Sequence, residues 1–246
     1  MRTAERVVPA ENLAIAGLVP LSAVDWPGRL VATVFCQGCP LRCPYCQNSS
    51  ILDPTVPGAV PWGDVEDLLS RRRGLLDGVV FTGGEALRQE AVLDAMARVK
   101  AEGFMVGLHT AGVYPRRLEA ALGHVDWVGL DIKALPEHYG QVVGRANAAT
   151  KAWESLEVLI EAAGHGGPDF EVRTTVVPGD VTADDAVEVA RRVHAAGARV
   201  YALQQARSEG TSGEFDVVAP GWDGTCERMA ERIEALGWDR FTYRPA

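Results

Sequence analysis

Segments with the character of β-strands alternate with helical segments along most of this chain, and that alternation constrains its fold more than any other feature. The strand candidates are short, apolar and rich in β-branched residues. A repeated strand–helix–strand order is typical of parallel strands joined by helical crossovers. We predict strands at 30–35, 78–82, 104–109, 127–132, 170–177 and 199–204.

Helical segments fill the intervals between these strands, and several of them have start signals. Thr182 precedes an acidic first turn, and Pro115 suits a first helical position. The chain closes with a helix at about 221–236 and a strand at 240–243. The intervening helices are predicted at 64–76, 86–102, 115–122, 151–163 and 182–196.

Six consecutive strand–helix units predict an α/β fold, a partial (β/α)6 TIM-like barrel of parallel strands, with an open Rossmann-like sheet as the second candidate. A chain of 246 residues without a long linker fits one domain over residues 1–246. We expect residues 1–28 to form an N-terminal extension that packs on the barrel. Residues from about 221 to 246 would form a C-terminal helix and strand.

The charge balance limits the kinds of partner. There are 24 basic and 33 acidic residues, a net charge of −9, which disfavours general binding to nucleic acids or to anionic membrane surfaces. No apolar run approaches the roughly 20 residues that span a bilayer. Residues 1–11 lack the apolar core of a secretory signal. We therefore expect a cytoplasmic protein with neither a nucleic-acid nor a membrane partner.

A cluster of cysteines directly after the first predicted strand is the strongest chemical signal. Four of the five cysteines are Cys36, Cys39, Cys43 and Cys46, and the last three have the spacing Cys-x3-Cys-x2-Cys. Three thiolates on one loop can hold three irons of a cubane cluster and leave the fourth iron open. Zinc bound by all four cysteines is the main alternative, although zinc ribbons usually have a longer span between their two pairs. A reducing compartment disfavours disulfides.

Other distinctive residues follow the ends of predicted strands, where barrel enzymes place their active sites. Gly83 and Gly84 would let the backbone approach a ligand, and Glu85 could meet a cationic group, although an ordinary βα turn also explains them. Asp131 and Lys133 lie two residues apart and point to the same face of a strand. Lys133 would suit a ligand carboxylate, and a structural ion pair is the alternative.

Three further strand-end features complete the candidate site. Arg173 lies within a strand and needs an anionic partner or access to solvent. His109 could be a ligand, a base or a hydrogen-bonded histidine at the rim. Gln204 and Gln205 end the last of the six strands. Together these residues would suit a zwitterionic ligand beside a metal cluster.

The segment 35–48, which contains the cysteine loop, resembles the signature of the radical S-adenosylmethionine superfamily, and in particular of its glycyl-radical-enzyme activases. The opening stretch 15–28 is similar to activating proteins of the anaerobic ribonucleoside-triphosphate reductase. The resemblance extends over essentially the whole chain. It continues, in the family's order, through motifs at 83–85, 109–112, 130–133 and 173–179.

The resemblance implies a set of cofactor contacts. Cys39, Cys43 and Cys46 would ligate one [4Fe–4S] cluster, whose open iron binds the amino and carboxylate groups of S-adenosylmethionine. The other implied contacts with S-adenosylmethionine are Tyr45 near the adenine, Gly83, Gly84 and Glu85 at the ammonium, Lys133 and Arg173 at the carboxylate, and His109, Thr110 and Asp131 at the rim.

The resemblance also implies an activity and its partners. An electron from the reduced cluster would cleave S-adenosylmethionine to a 5′-deoxyadenosyl radical, which takes a hydrogen atom from a glycine Cα of a partner protein. The partner implied is the catalytic subunit of the anaerobic ribonucleotide reductase. Another glycyl-radical enzyme of the pyruvate formate-lyase type, a peptide or a small molecule are the alternatives. A low-potential donor such as flavodoxin or ferredoxin would supply the electron.

The chain departs from the activase pattern at His109. Activases of pyruvate formate-lyase have an aspartate at this position that contributes to a monovalent-cation site, and a neutral imidazole is a poor ligand for a hard alkali ion. This departure leaves open whether the cation site is present here, since Thr110 and Asp131 remain. Outside the three-cysteine spacing, Cys36 is predicted to be a buried strand-end thiol, and Cys226 is predicted to be structural.

Overall fold

The structure is a computed structural model that describes residues 7–212, 215, 217 and 219–246. The first six residues of the predicted N-terminal extension therefore lie outside the described residues. Within the described part of the chain, eight strands form one sheet. They are β1 (Ile15–Ser22), β2 (Val31–Cys36), β3 (Gly78–Gly83), β4 (Met105–Thr110), β5 (Trp127–Asp131), β6 (Asp169–Val176), β7 (Val200–Gln205) and β8 (Arg240–Arg244).

The described residues also form seven α-helices and three short 3-10 turns, of which one turn precedes β1 and the other elements connect strands. No helix among these residues is both long enough and apolar enough to cross a membrane. The helices are α1 (Trp62–Arg71), α2 (Ala91–Ala101), α3 (Pro115–Ala121), α4 (Tyr139–Val143), α5 (Ala148–Gly164), α6 (Val181–Ala196) and α7 (Trp222–Glu234), and the 3-10 turns are Ala10–Asn12, Ser49–Ile51 and Ala86–Arg88.

The order of the strands in the sheet is the same as their order in the sequence. Strands β2 to β8 are parallel, and β1 pairs antiparallel with β2. Since crossovers between parallel strands are right-handed, this sequential order places every crossover helix on the same side of the sheet. A Rossmann-like sheet would instead reverse its order and carry helices on both sides. The predicted partial barrel is confirmed, and the final predicted strand adds a further parallel member, β8.

Three regions differ from the sequence prediction, and one of them is the short helix α4 (Tyr139–Val143), which was not predicted. The segment Ile15–Ser22, predicted as part of an extension, is an edge strand of the sheet. It has two register irregularities against β2, so its side chains lack the clean alternation that marks a strand. The helix predicted at 86–102 is split, because Gln89 has an extended backbone and its side chain exchanges two hydrogen bonds with the backbone of Ala14, at 2.8 and 2.9 Å.

The barrel has an inner and an outer apolar core. The outer core lies between the sheet and its helices. The inner core contains Trp26 and Trp127, which stack with their ring centroids 5.5 Å apart. Gly107 makes room for this stack, since a Cβ there would lie 2.9 Å from Cε3 of Trp26. The inner core fills the barrel toward the amino ends of the strands and leaves space only toward their carboxyl ends.

Candidate active site

A cavity of about 550 Å³ lies at the carboxyl ends of the parallel strands. It is distinct from a larger groove of about 840 Å³ on the outside of the barrel, which contains none of the predicted site residues. The predicted site residues that line the inner cavity are Cys39, Cys43, Tyr45, Cys46, Gly83, Gly84, His109, Thr110, Asp131, Lys133 and Arg173. The structure thus brings together side chains from five consecutive parallel strands and the loops that follow them.

Backbone hydrogen bonds hold the cysteine loop over the cavity. The chain leaves β2 at Gly38, which has φ of +89° and where a Cβ would lie 2.9 Å from the Cα of Pro54. The amide of Cys39 donates to Leu52 O at 3.0 Å, and the amide of Arg42 donates to Val143 O, also at 3.0 Å. These contacts turn a loop without regular secondary structure into a defined wall of the cavity.

The fourth thiolate that a four-cysteine zinc site would need is missing from this wall, because Cys36 lies elsewhere. Its side chain is buried in the outer core, on the same face of β2 as Ala32 and Val34, and it does not line the cavity. Among the described residues, no three cysteine, histidine or acidic side chains converge on a single metal ion. A cubane cluster instead takes one thiolate on each of three irons. The arrangement of three cysteines on one wall fits a cubane better than a four-cysteine zinc site.

Burial controls the protonation of these thiols. It raises the pKa of Cys39 to about 12, and it also raises the pKa of Cys43. The protein without a cluster therefore keeps both groups as neutral thiols at physiological pH. Metal ions stabilise the thiolate form strongly, so loading of iron would release these protons.

The glycine pair at the end of β3 allows two backbones to pack directly together. A Cβ at Gly83 would lie 2.5 Å from the amide nitrogen of Cys36, and a Cβ at Gly84 would collide with Gly38 O. The amide of Gly84 donates to Cys36 O at 2.9 Å. The glycines therefore join the end of β3 to the cysteine loop and expose their peptide groups to the cavity.

Glu85 lies behind the cavity wall and is 1% exposed. Its carboxylate accepts hydrogen bonds from the hydroxyl of Thr110 at 2.8 and 3.0 Å, from the amide of Ala111 at 2.9 Å and from the amide of Leu87 at 3.2 Å. Burial raises the pKa of Glu85. In this structure Glu85 joins the ends of β3 and β4, and its predicted contact with an ammonium group stays a prediction.

Asp131 lies between two cations at the ends of β5 and β6. Its Oδ2 is 3.1 Å from Nζ of Lys133, and its Oδ1 is 3.0 Å from Nε of Arg173. Burial opposes ionisation of Asp131, but the two cations outweigh this effect and hold its pKa at about 2. Gly129 leaves space for the guanidinium, since a Cβ there would lie 2.7 Å from Cζ of Arg173. Two cations share one carboxylate, so this wall attracts an anionic group.

Tyr45 carries a polar atom that has no partner. The residue is 7% exposed, and its hydroxyl is buried without a hydrogen-bond partner among the described residues. Nζ of Lys133 lies 5.6 Å from the centroid of its ring. A buried hydroxyl without a partner is costly, so its position in the cavity wall fits a site that is completed by a bound ligand.

His109 uses both of its ring nitrogens within the protein. Nε2 lies 2.7 Å from the carbonyl oxygen of Asp25, to which it donates, and the hydroxyl of Thr82 donates to Nδ1 at 3.3 Å. The ring also meets Trp127 edge-on, with centroids 5.5 Å apart. Burial lowers the pKa of His109 to about 3. The imidazole is therefore neutral and links the segment after β1 to β3 and β4.

The lowered pKa of His109 predicts a specific dependence of stability on pH. Between about pH 6.5 and pH 3, this side chain binds a proton in the unfolded chain but not in the native protein. Its contribution therefore makes the free energy of unfolding fall as the pH falls through this range. We expect His109→Gln to flatten that dependence in the upper half of the range, as measured by urea denaturation. The exposed His165, changed to glutamine, is the control and should leave the slope unaltered. Equal slopes for wild type and His109→Gln would contradict the prediction.

The cavity also contains polar residues to which the sequence did not assign a role. Asn48, two positions beyond the last loop cysteine, donates from Nδ2 to Gly83 O at 3.0 Å. Asp25 contributes from the segment after β1, and Arg244 contributes from the end of β8. Residues directly after strand ends were expected at the site, and Arg244 directly follows the last predicted strand at 240–243. No sequence pattern marked Asp25, because its role depends on its carbonyl oxygen.

A partial barrel whose mouth combines three cysteines of one loop, a glycine turn and a cation pair defines a class of iron–sulfur enzymes that bind an amino-acid-like cofactor. The family model of the radical SAM superfamily matches residues 33–193, and the chain belongs to that superfamily. This confirms the predicted membership of the superfamily. Enzymes of this superfamily use a [4Fe–4S] cluster and S-adenosylmethionine, and these are the cofactors of this enzyme.

Several known proteins are similar to the chain. A Methanocaldococcus jannaschii protein that carries the name of a glycyl-radical enzyme activating enzyme is 27% identical over 78% of this chain and 79% of its own length. The pyruvate formate-lyase-activating enzyme of Clostridium pasteurianum is 29% identical over 67% of this chain and 68% of its own length. The crystal structure of QueE from Escherichia coli shares the fold, with a TM-score of 0.57, 18% identity, and coverage of 94% and 92% of the two chains.

Proposed function

We propose that this chain is a glycyl-radical-enzyme activating enzyme whose partner is the catalytic subunit of the anaerobic ribonucleoside-triphosphate reductase. The observation that carries the proposal is the placement of Cys39, Cys43 and Cys46, with Cys36 excluded, in the cavity at the mouth of an open barrel. The names of the two relatives support activation of a glycyl-radical enzyme. The similarity of residues 15–28 to reductase activating proteins favours the reductase as the partner.

Different residues of the cavity would bind different parts of the cofactors. The three cysteines would hold the cluster, and Lys133 and Arg173 would pair with the carboxylate of S-adenosylmethionine. Peptide groups of Gly83 and Gly84 would meet its ammonium, and the ring of Tyr45 would lie near the adenine. When bound, the cluster and S-adenosylmethionine would together supply the reducing electron and the capacity to remove a hydrogen atom from the glycine Cα of the partner.

The ion-pair network of Asp131, Lys133 and Arg173 would favour binding of a carboxylate. Lys133 and Arg173 are each 8% exposed and already share the carboxylate of Asp131. A second carboxylate would balance the remaining positive charge without moving either cation far from Asp131. Preorganised cations of this kind bind an anionic group with little loss of side-chain entropy. Asp131 would then serve as the residue that positions both Lys133 and Arg173.

An open sheet gives a protein substrate access to this site. The described residues form no ladder between β1 and β8, so the wall of the barrel is incomplete at the side. A chain segment that carries the target glycine could enter there, whereas a closed barrel would admit only a small molecule at its end. The geometry therefore favours a protein substrate over a small metabolite.

We further propose a low-potential donor of the flavodoxin or ferredoxin type and a cytoplasmic location. The five cysteines are free thiols. Three of them are needed as thiolates by the cluster, which requires a reducing compartment. The net charge of −9 would complement a basic patch on a donor or on the partner.

Electron paramagnetic resonance on the anaerobically reconstituted protein tests the proposal. The reduced protein is mixed with S-adenosylmethionine and the catalytic subunit of the anaerobic reductase from the same organism. We expect a glycyl-radical doublet that requires all components and disappears in Cys39→Ala. Accumulation of 5′-deoxyadenosine without a doublet would overturn the choice of partner. A doublet with pyruvate formate-lyase alone would establish the other glycyl-radical enzyme as the partner.

A further inference from the structure

One wall of the cavity is not used by any of the proposed cofactor contacts. Thr175, Gln204 and Arg244 line it at the carboxyl ends of β6, β7 and β8. Along the sheet, β7 and β8 lie beyond the strand that carries Arg173 and border the open side of the barrel. A substrate that enters through the open side must therefore pass this wall to reach the cofactors.

The charge of Arg244 in this wall is neutralised within the protein. Nη2 of Arg244 lies 2.8 and 3.0 Å from the two carboxylate oxygens of Glu171, which is 1% exposed. Because Glu171 balances the guanidinium, the wall does not present a free positive charge at this point. Arg207, the other cation there, is exposed at the rim and donates to Pro245 O at 3.1 Å. A neutral polar ligand suits this wall better than a carboxylate or a phosphate.

Arg244 also orients the side chain of Gln204. Nη1 of Arg244 lies 3.4 Å from Oε1 of Gln204, which identifies the acceptor end of the carboxamide. In the part of the chain that the structure describes, Nε2 of Gln204 and the hydroxyl of Thr175 have no hydrogen-bond partner within the protein. Gln204 thus offers an oriented donor to the cavity, and Thr175 offers a hydroxyl that can donate or accept.

A target glycine limits how a substrate can be recognised. Glycine has no side chain, so an enzyme that removes a hydrogen atom from its Cα must hold the peptide groups on either side of it. Carboxamide and hydroxyl groups match the donors and acceptors of a peptide backbone. We infer that Gln204, assisted by Thr175, hydrogen-bonds the main chain of the substrate beside the target glycine and positions its Cα. This inference rests on the proposed function and adds the subsite that receives the substrate.

The test uses the reconstituted enzyme and a synthetic peptide that spans the reactive glycine of the reductase. Loss of one hydrogen bond is worth about 0.5–1.5 kcal/mol, so we expect Gln204→Ala to raise the KM for the peptide about 2- to 13-fold. The amount of glycyl radical formed per 5′-deoxyadenosine released should also fall. A poorly positioned glycine allows S-adenosylmethionine to be cleaved without removal of a hydrogen atom from the peptide. Gln141→Ala, at an exposed glutamine on α4, is the matched control.

A second peptide separates direct contact from a structural effect. Replacing the peptide bond after the glycine by an ester weakens the acceptor that Gln204 would meet. The wild-type enzyme should bind the ester more weakly than the amide, whereas Gln204→Ala should not distinguish them. The inference would be overturned if Gln204→Ala left the KM for the peptide unchanged. It would also be overturned if wild type and Gln204→Ala distinguished the amide peptide from the ester peptide to the same extent.

A competition experiment distinguishes a peptide from a small carboxylate. N-acetylglycine methylamide should compete with the peptide, and the free carboxylate N-acetylglycine should compete less well. The reverse order would overturn the inference in favour of a carboxylate ligand. Failure of wild type to form any radical would refute the proposed function itself, and this outcome differs from a wild-type radical that is insensitive to Gln204→Ala.

Discussion

Replacement of Cys39, Cys43 or Cys46 by alanine will remove bound iron and abolish cleavage of S-adenosylmethionine, whereas Cys36→Ala will retain both. Each loop cysteine would hold a different iron, so the loss of one leaves that iron without a protein ligand. Cys36 cannot replace it, because its side chain lies in the outer core on the other face of β2. Iron analysis and the release of 5′-deoxyadenosine after anaerobic reconstitution measure the two effects.

This set of variants also tests the zinc alternative. A four-cysteine zinc site would lose metal as readily on Cys36→Ala as on Cys39→Ala. Cys226→Ala provides a second control at a buried thiol distant in sequence from the loop. Loss of the cluster in Cys36→Ala together with its retention in Cys39→Ala would show that the ligands are wrongly assigned.

Substitution of Arg244 by methionine will destabilise the protein by about 1–3 kcal/mol, because the buried carboxylate of Glu171 loses its hydrogen-bonding partner, whereas the side chain of Arg244 is itself 29% exposed. Both carboxylate oxygens of Glu171 accept from Nη2 of Arg244, and Glu171 is almost fully buried inside the barrel. Methionine keeps much of the apolar stem of the side chain but removes the charge. Urea denaturation should show a lower free energy of unfolding.

Two further variants isolate the ion pair from a general effect on β8. Arg240 is an exposed arginine on the same strand, and Arg240→Met should cost far less than Arg244→Met. Adding Glu171→Gln to Arg244→Met removes the uncompensated carboxylate and should recover much of the lost stability. Similar losses for Arg240→Met and Arg244→Met, or no recovery in the double variant, would refute the prediction.

The fold was predictable because its main signals are local. Short apolar segments rich in β-branched residues, helix start signals and the alternation of strand and helix depend on neighbouring residues. These signals identified all strands from β2 to β8. The edge strand β1 was not predicted, since its irregular register against β2 removes the alternation that marks a strand. The break before α2 was also not predicted, because Gln89 is held extended by its hydrogen bonds to Ala14, 75 residues earlier.

The candidate site was predictable to a similar degree. Parallel strands bring their carboxyl ends to one edge, so residues at strand ends were expected to meet. All the predicted site residues except Glu85 line the same cavity. The position of Glu85 depends on how closely the two glycines before it pack on the cysteine loop. The separation of Cys36 from the other cysteines depends on which face of β2 lies inside the barrel. Spacing along the chain does not reveal the position of Glu85, but it did set Cys36 apart, and the structure confirms Cys36 as a buried thiol at the end of β2.

By itself, the sequence determined the parallel α/β architecture, the three-cysteine loop and the placement of cationic and glycine residues at strand ends. Each of these follows from spacing within a few residues. Only the tertiary structure decided that Asp131 bridges Lys133 and Arg173, that His109 bonds Asp25, and that Glu171 anchors Arg244. These contacts join residues brought together by the curl and register of the sheet, and a one-residue change of register would turn the same side chains to the opposite face.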